Sequence, residues 1–173
     1  YFDQLLMIEK VSQLIPKGWK IYVKDHPHQQ TEYQRGSKFY ERLYSIKNVV
    51  LLSPKINKDD CIANAQFISV ISGTSGFESL CAHKAVLLFG KSWYKSLPGI
   101  TSYHSKVTIK EIQSKNMVDE LFYKQLNIIY SKLGDAVFDQ ELAVSFKDFS
   151  KEKNIRDCCY LIKGLLNYNK KNK

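Results

Sequence analysis

Glycine and proline are scarce in this chain of 173 residues, at 8 and 4, which excludes collagen-like and low-complexity architectures. Arginine is scarcer still: three of the 26 basic residues are Arg, so the positive charge rests on lysine. Long apolar runs are missing. The longest, Ala85 to Phe89, has five residues and reads as a strand, whereas about 20 are needed to span a bilayer. Cysteine is confined to Cys61, Cys81, Cys158 and Cys159, with no Cys-x-x-Cys spacing, so these read as reduced core thiols of a cytosolic protein. The opening Tyr1-Phe2-Asp3-Gln4 has neither an initiator Met nor the basic-then-apolar layout of a secretory signal, and reads as part of a longer protein.

What is present is an ordinary globular composition, 44% hydrophobic and 25% charged, enough for a real core. The net charge of +9 invites a nucleic-acid reading, but its distribution argues against one. Part lies in the tail Lys170-Lys171-Asn172-Lys173, the rest is interspersed, and no basic motif is interleaved with aromatics. No nucleic-acid partner is expected. A solvated lysine surface accounts for the charge, with attraction for anionic ligands or a membrane surface as the functional alternative.

Along the chain, Leu5, Ile8, Val11 and Ile15 have helical spacing, and Pro16-Lys17-Gly18 stops the helix. Trp19 to Lys24 alternates as a strand that Pro27 ends. A helix over Gly36 to Ile46 precedes the continuous run Val49-Val50-Leu51-Leu52, a second, buried strand. A short helix over Asn57 to Ala65, a strand over Phe67 to Ile71, a helix from Phe77 to Ala82 and a strand over Ala85 to Phe89 follow. Beyond Gly90 come an aromatic loop, a short strand at Lys106 to Ile109, and helices over Val118 to Leu133 and Ile155 to Leu166. Short apolar strands alternating with helices predict a Rossmann-like α/β fold: one parallel sheet, helices on both faces, a helical C-terminal end, and a single domain over 1–173.

In such a sheet, ligands bind where the strand-to-helix loops gather. Three loops there have unusual chemistry: Lys24-Asp25-His26-Pro27-His28, Ser72-Gly73-Thr74-Ser75-Gly76 and Gly90-Lys91-Ser92-Trp93-Tyr94. The second combines two glycines, three hydroxyls and a following helix end, the ingredients of an anion or phosphate cradle. It has neither a Walker ending nor a dinucleotide fingerprint. Two ordinary roles compete: helix capping by a Ser or Thr of the loop, and by Glu78 on the first helical turn. His26 precedes Pro27, which favours extended backbone and aims the side chain out of the strand end. His28, His83 and His104 have no metal-ligand spacing with it, and no metal or cofactor is expected.

Val23-Lys24-Asp25-His26-Pro27, then Ile71-Ser72-Gly73-Thr74-Ser75-Gly76-Phe77-Glu78-Ser79-Leu80, then Lys84 to Gly90 and Trp93-Tyr94 together resemble the nucleotide-sugar lobe of capsular polysaccharide biosynthesis glycosyltransferases. The set is similar to the Kdo- and sialic-acid-transferase-like GT-B enzymes with a His-Pro and a Ser-Ser/Thr motif. The resemblance covers roughly residues 20–100. It implies the C-terminal half of a GT-B fold and an inverting, metal-independent sugar transfer from a nucleotide donor, CMP-linked Kdo or sialic acid. Lys24, His26, Pro27, Ser72, Gly73, Thr74, Ser75 and Gly76 would hold the donor, with His26 catalytic on its phosphate. Glu78 would lie near the ribose or base, and Trp93 and Tyr94 against the sugar or acceptor. The partners implied are a polysaccharide or glycolipid acceptor and an N-terminal lobe carrying the base, in the cytoplasm or peripherally at the inner face of the membrane. The rivals are a CDP-glycerol-type polyol-phosphate transferase and a non-catalytic module for polysaccharide or anionic ligands.

Overall fold

A computed structural model describes residues 3–26, 35–115, 118–131, 133 and 149–171, with backbone alone from 164 onward. It divides into two compact units, Tyr1–Gln125 and Leu126–Lys173. In the first, helices and short strands alternate as α1 (Gln4–Leu14), β1 (Ile21–Val23), α2 (Ser37–Ser45), β2 (Val49–Leu51), α3 (Lys58–Asn64), β3 (Ile68–Val70), α4 (Thr74–Cys81), β4 (Val86–Leu88), β5 (Ile100–Ser102) and α5 (Ile109–Gln113). Helix α6 (Asp119–Tyr130) crosses the boundary, and the second unit carries α7 (Lys151–Lys171).

Every strand pairing described is parallel. The strands form two small sheets, β1-β2 and β3-β4-β5, flanked by helices in a Rossmann-like α/β arrangement. The register sets Tyr22 opposite Val50 in one sheet and Leu87 between Ser69 and Thr101 in the other. A cavity of about 850 Å³ lies where a single sheet would have joined β1 to β3, lined by Ile21 and Val23 on one side and Phe67, Ile68 and Ser69 on the other. The expected sheet is thus divided.

Side-chain alternation explains where the core sits. Leu87 points to one face of β4 and packs with Val11 of α1 and Ile112 of α5, while Val86 and Leu88 point to the other; all three are buried. That sheet is covered on both faces. In the β1-β2 sheet, Ile21, Val23, Val49 and Leu51 pack on Leu5, Ile8 and Leu43, but Tyr22 is 63% and Val50 37% exposed. The run Val49–Leu52, expected to be wholly buried, covers one face only.

Caps fix several helix ends. The Asp3 carboxylate accepts from the Leu5 and Leu6 amides at 2.9 and 3.1 Å, and the Asn57 side chain accepts from Asp59 N at 2.8 Å. Thr108 Oγ1 accepts from Glu111 N at 3.1 Å, so the segment expected as a strand at Lys106–Ile109 instead leads into α5; the strand is Ile100–Ser102, after the Pro98-Gly99 turn. The thiols are free, as expected, but none belongs to the core: Cys81 and Cys159 are exposed, Cys61 and Cys158 half-buried.

Helix α4 ends in a paired closure, His83 N to Leu80 O at 2.9 Å and Lys84 N to Ser79 O at 2.8 Å. His83 therefore lies past the helix, and takes a left-handed φ of 56° where glycine is the usual residue. Its Nδ1 reaches Asp119 at 3.6 Å, with both side chains more than 60% exposed, so that contact adds little. His83→Gly is expected to raise unfolding stability by about 0.5–1 kcal/mol, since relief of the left-handed strain exceeds glycine's entropy cost. Chemical denaturation checks this, and a drop in stability would contradict the backbone argument.

Candidate functional site

Because β3 and β4 are parallel neighbours, the segments that leave their carboxyl ends meet on one edge. After β3 the chain passes Ser72 and Gly73 and enters α4 at Thr74, three residues earlier than the sequence suggests. Thr74, Ser75 and Gly76 thus form the first helical turn, and Glu78 falls in the second. Gly73 is the N-cap and has no side chain to offer, so the amides of this end carry no side-chain cap. Neither ordinary role holds: no hydroxyl of the segment caps α4, and Glu78 is engaged elsewhere. Ser72 and Thr74 are exposed and Ser75 half-buried, their hydroxyls around the positive end of the helix. Amides, hydroxyls and dipole together suit an oxyanion or phosphate group.

The β4 loop braces this end from behind. Tyr94 is fully buried, and its hydroxyl donates to the Gly73 carbonyl at 2.5 Å. Burial raises the pKa of its phenol, which keeps the donor proton in place. Gly76 makes the approach feasible: a Cβ there would lie 2.9 Å from Val70 Cγ2 and nearer still to Tyr94 Oη. Gly90 plays a similar part, since a Cβ would meet the Ile71 carbonyl oxygen at 2.7 Å. Of the two aromatics expected against a sugar, Tyr94 is therefore internal. Trp93 is 53% exposed, packed against Phe77 with ring centroids 4.8 Å apart.

The first loop lies at the end of β1, in the other sheet. His26 is exposed, and Pro27 and His28 lie outside the described residues. Asp25, just before His26, is held by Arg35 at 3.0 Å and by the Tyr40 hydroxyl, which donates to Oδ2 at 3.0 Å. Arg35 also bonds Gln4 and lies over the Phe39 ring at 4.1 Å. Asp25 thus ties the end of β1 to Arg35 and to Tyr40 of α2. Lys24 Nζ donates to the Pro54 carbonyl at 3.0 Å, tying β1's end to the segment after β2.

That segment leads into α3, whose Lys58 pairs with Glu78 of α4 at 2.7 Å. A chain of contacts therefore runs from Lys24 through Pro54 and α3 to the α4 end. Sequence reasoning missed Lys58. The available signal was a lysine at the first position of a helix, where the dipole disfavours a cation and a carboxylate partner is wanted. Among the described residues, no group of three or more His, Cys, Asp or Glu is arranged to hold a metal ion.

The family model described as capsule polysaccharide biosynthesis protein matches residues 3–132. No curated protein and no solved structure matches the chain.

Two outcomes follow from the Tyr94 contact. Gly76→Ala is expected to cost about 1–3 kcal/mol by overpacking, although Ala is the better helix former, and adding Tyr94→Phe should recover part of that loss in a double-mutant cycle. Strict additivity would place the clash elsewhere. Tyr94→Phe alone should cost about 0.5–1.5 kcal/mol and change the pH dependence. Because folding raises the phenol's pKa, its contribution is complete below the ordinary value of 10.0 and is lost as pH climbs through the folded value. Wild type should therefore lose more stability above pH 10 than Tyr94→Phe does, and parallel denaturation profiles would contradict this.

Proposed function

This chain belongs to the capsule polysaccharide biosynthesis family, and we propose that it is the donor lobe of a glycosyltransferase, the C-terminal half of a GT-B fold. The donor is a nucleotide-activated sugar, CMP-linked Kdo or sialic acid, and transfer is inverting and metal-independent. One observation carries this reading: an α4 amino end without a side-chain cap, ringed by Ser72, Thr74 and Ser75, at the carboxyl edge of a parallel sheet.

The chemistry follows from the charge that develops in transfer. As the bond from the anomeric carbon to the donor phosphate breaks, negative charge grows on the phosphate oxygens. Amides at the α4 end, with the hydroxyls of Ser72, Thr74 and Ser75, stabilise that charge without reorganising. In this reading His26 acts on the same phosphate, and Asp25, fixed by Arg35 and Tyr40, steadies the backbone just before it. Trp93 offers an exposed ring face for a sugar. Lys58 neutralises Glu78, so that a carboxylate on α4 does not repel the donor. The acceptor is a polysaccharide or glycolipid hydroxyl, and its proton is taken by a base on an N-terminal lobe of the same protein.

Calorimetric titration with CMP, UMP and AMP tests the donor. CMP should bind more tightly than the other two, and Thr74→Ala with Ser75→Ala should weaken it. Equal binding of all three, or none, defeats the cytidine assignment, and preference for CDP-glycerol over a CMP-sugar favours a polyol-phosphate donor. In the protein with both lobes, His26→Ala should lower turnover by about 10²–10³ with an unchanged melting temperature. His104→Ala, which removes an exposed histidine paired with Glu111, should behave as wild type. Full activity of His26→Ala would remove His26 from the mechanism. Lys58→Ala should change stability by no more than about 1 kcal/mol yet weaken CMP binding, because it bares Glu78 beside the anion. Unchanged affinity would separate Glu78 from the donor.

A further inference from the structure

We propose that α7 is a membrane-surface helix whose apolar stripe and adjoining basic margin dock on an anionic lipid bilayer. Ile155 and Ile162, two turns apart on one face, are 53% and 47% exposed. Cys159, on the turn between them, is also exposed, and Cys158 and Leu161 beside it are half-buried. The stripe thus runs along the helix with its centre in solvent. Each isoleucine is followed by an exposed basic residue, Arg156 and Lys163, so a cationic row runs parallel to the apolar one. Lys151, one turn before Ile155 on the same face, is exposed as well, and its stem can lie along the stripe while its ammonium reaches outward.

Charge selects the occupant. Over its 21 residues α7 has six basic residues against two acidic, a net +4 out of the whole chain's +9. One of the two acids, Asp157, already pairs with Lys153 at 3.0 Å. An apolar stripe bordered by lysine and arginine complements acyl chains beneath anionic headgroups. No described helix is long and apolar enough to cross a membrane, so α7 lies in the interface plane. This placement is independent of the donor reading, since none of these residues belongs to the α4 site.

Co-sedimentation of the whole chain with vesicles tests it. Phosphatidylglycerol-containing vesicles should retain the protein, pure phosphatidylcholine vesicles should not, and raising the salt should release it. Ile155→Asp with Ile162→Asp should lower binding at least tenfold with the far-ultraviolet circular dichroism unchanged. Arg156→Glu with Lys163→Glu should lower it by about fivefold or more per residue. The charge-matched control, Lys17→Glu with Lys47→Glu, alters exposed lysines of the first unit and should retain most of the binding. Equal loss in the control would assign the attraction to overall charge and overturn the proposal. Binding insensitive to the isoleucine pair would also overturn it, as would equal retention on phosphatidylcholine. Sedimentation equilibrium showing a dimer that Ile155→Asp with Ile162→Asp dissolves would assign the stripe to a second copy instead. CMP titration of the same variants should match wild type, which keeps failure here distinct from failure of the donor reading.

Discussion

The hydrogen bond from Tyr94 to the Gly73 carbonyl is the constraint on which the candidate site depends. It joins the loop after β4 to the N-cap of α4, and so fixes one strand-end segment against the next. The bond needs a phenol deep behind the helix, and the phenol needs a position without a side chain, which Gly76 supplies. With the Gly73 carbonyl drawn inward, the first turn of α4 is set and its amides face the sheet edge. A glycine inside a helix ordinarily costs about 1 kcal/mol relative to alanine. Here that local cost is the condition for a buried, satisfied tyrosine and a fixed, uncapped helix end.

Two of the three arginines are placed where geometry matters more than charge, while Arg156 lies exposed on α7. Arg35 gathers Asp25, Gln4 and Phe39 into one cluster, and Arg42 bonds Glu9 through two nitrogens at 2.8 Å each, clamping α2 to α1. The planar guanidinium can serve several partners at once, which a lysine ammonium on a flexible stem does poorly. The lysines supply most of the net charge and a smaller number of directed contacts, such as Lys24 to Pro54. Within the first unit, surface positivity and structural clamping are thereby divided between two residue types.

The α/β alternation was legible because its causes are local. Leu5, Ile8 and Val11 fall on one helical face and are buried there, and β4 is a β-rich apolar run that is buried throughout. The loops at strand ends were legible through glycine and hydroxyl content. Errors arose where a tertiary contact decided the outcome. Tyr94 beside Trp93 looks like a surface pair, and only the Gly76 gap draws one ring inside. Val50 belongs to a continuous apolar run, yet one face of its sheet is open. Thr108 and Glu111 form a helix start that is recognisable in the sequence, and it sets α5 where the apolar alternation suggests a strand at Lys106. The split between β1 and β3 depends on packing across the chain, for which no periodicity gives a sign.

Lys58 and Glu78 show how a weak interaction for stability can be a strong one for a site. Both side chains are more than a third exposed, so water screens the pair and its contribution to folding is small. In the donor-lobe reading proposed above, the same carboxylate left alone would stand one turn inside a helix whose amino end faces an anion. Repulsion between like charges there would act on every bound ligand and on no feature of the apo fold. A partner 2.7 Å away removes that repulsion at its source. Because the pair links α3 to α4, it also carries the position of the β2 segment, and with it Lys24, toward the helix end. Electrostatic neutrality and alignment of the two strand-end groups are therefore two effects of one contact.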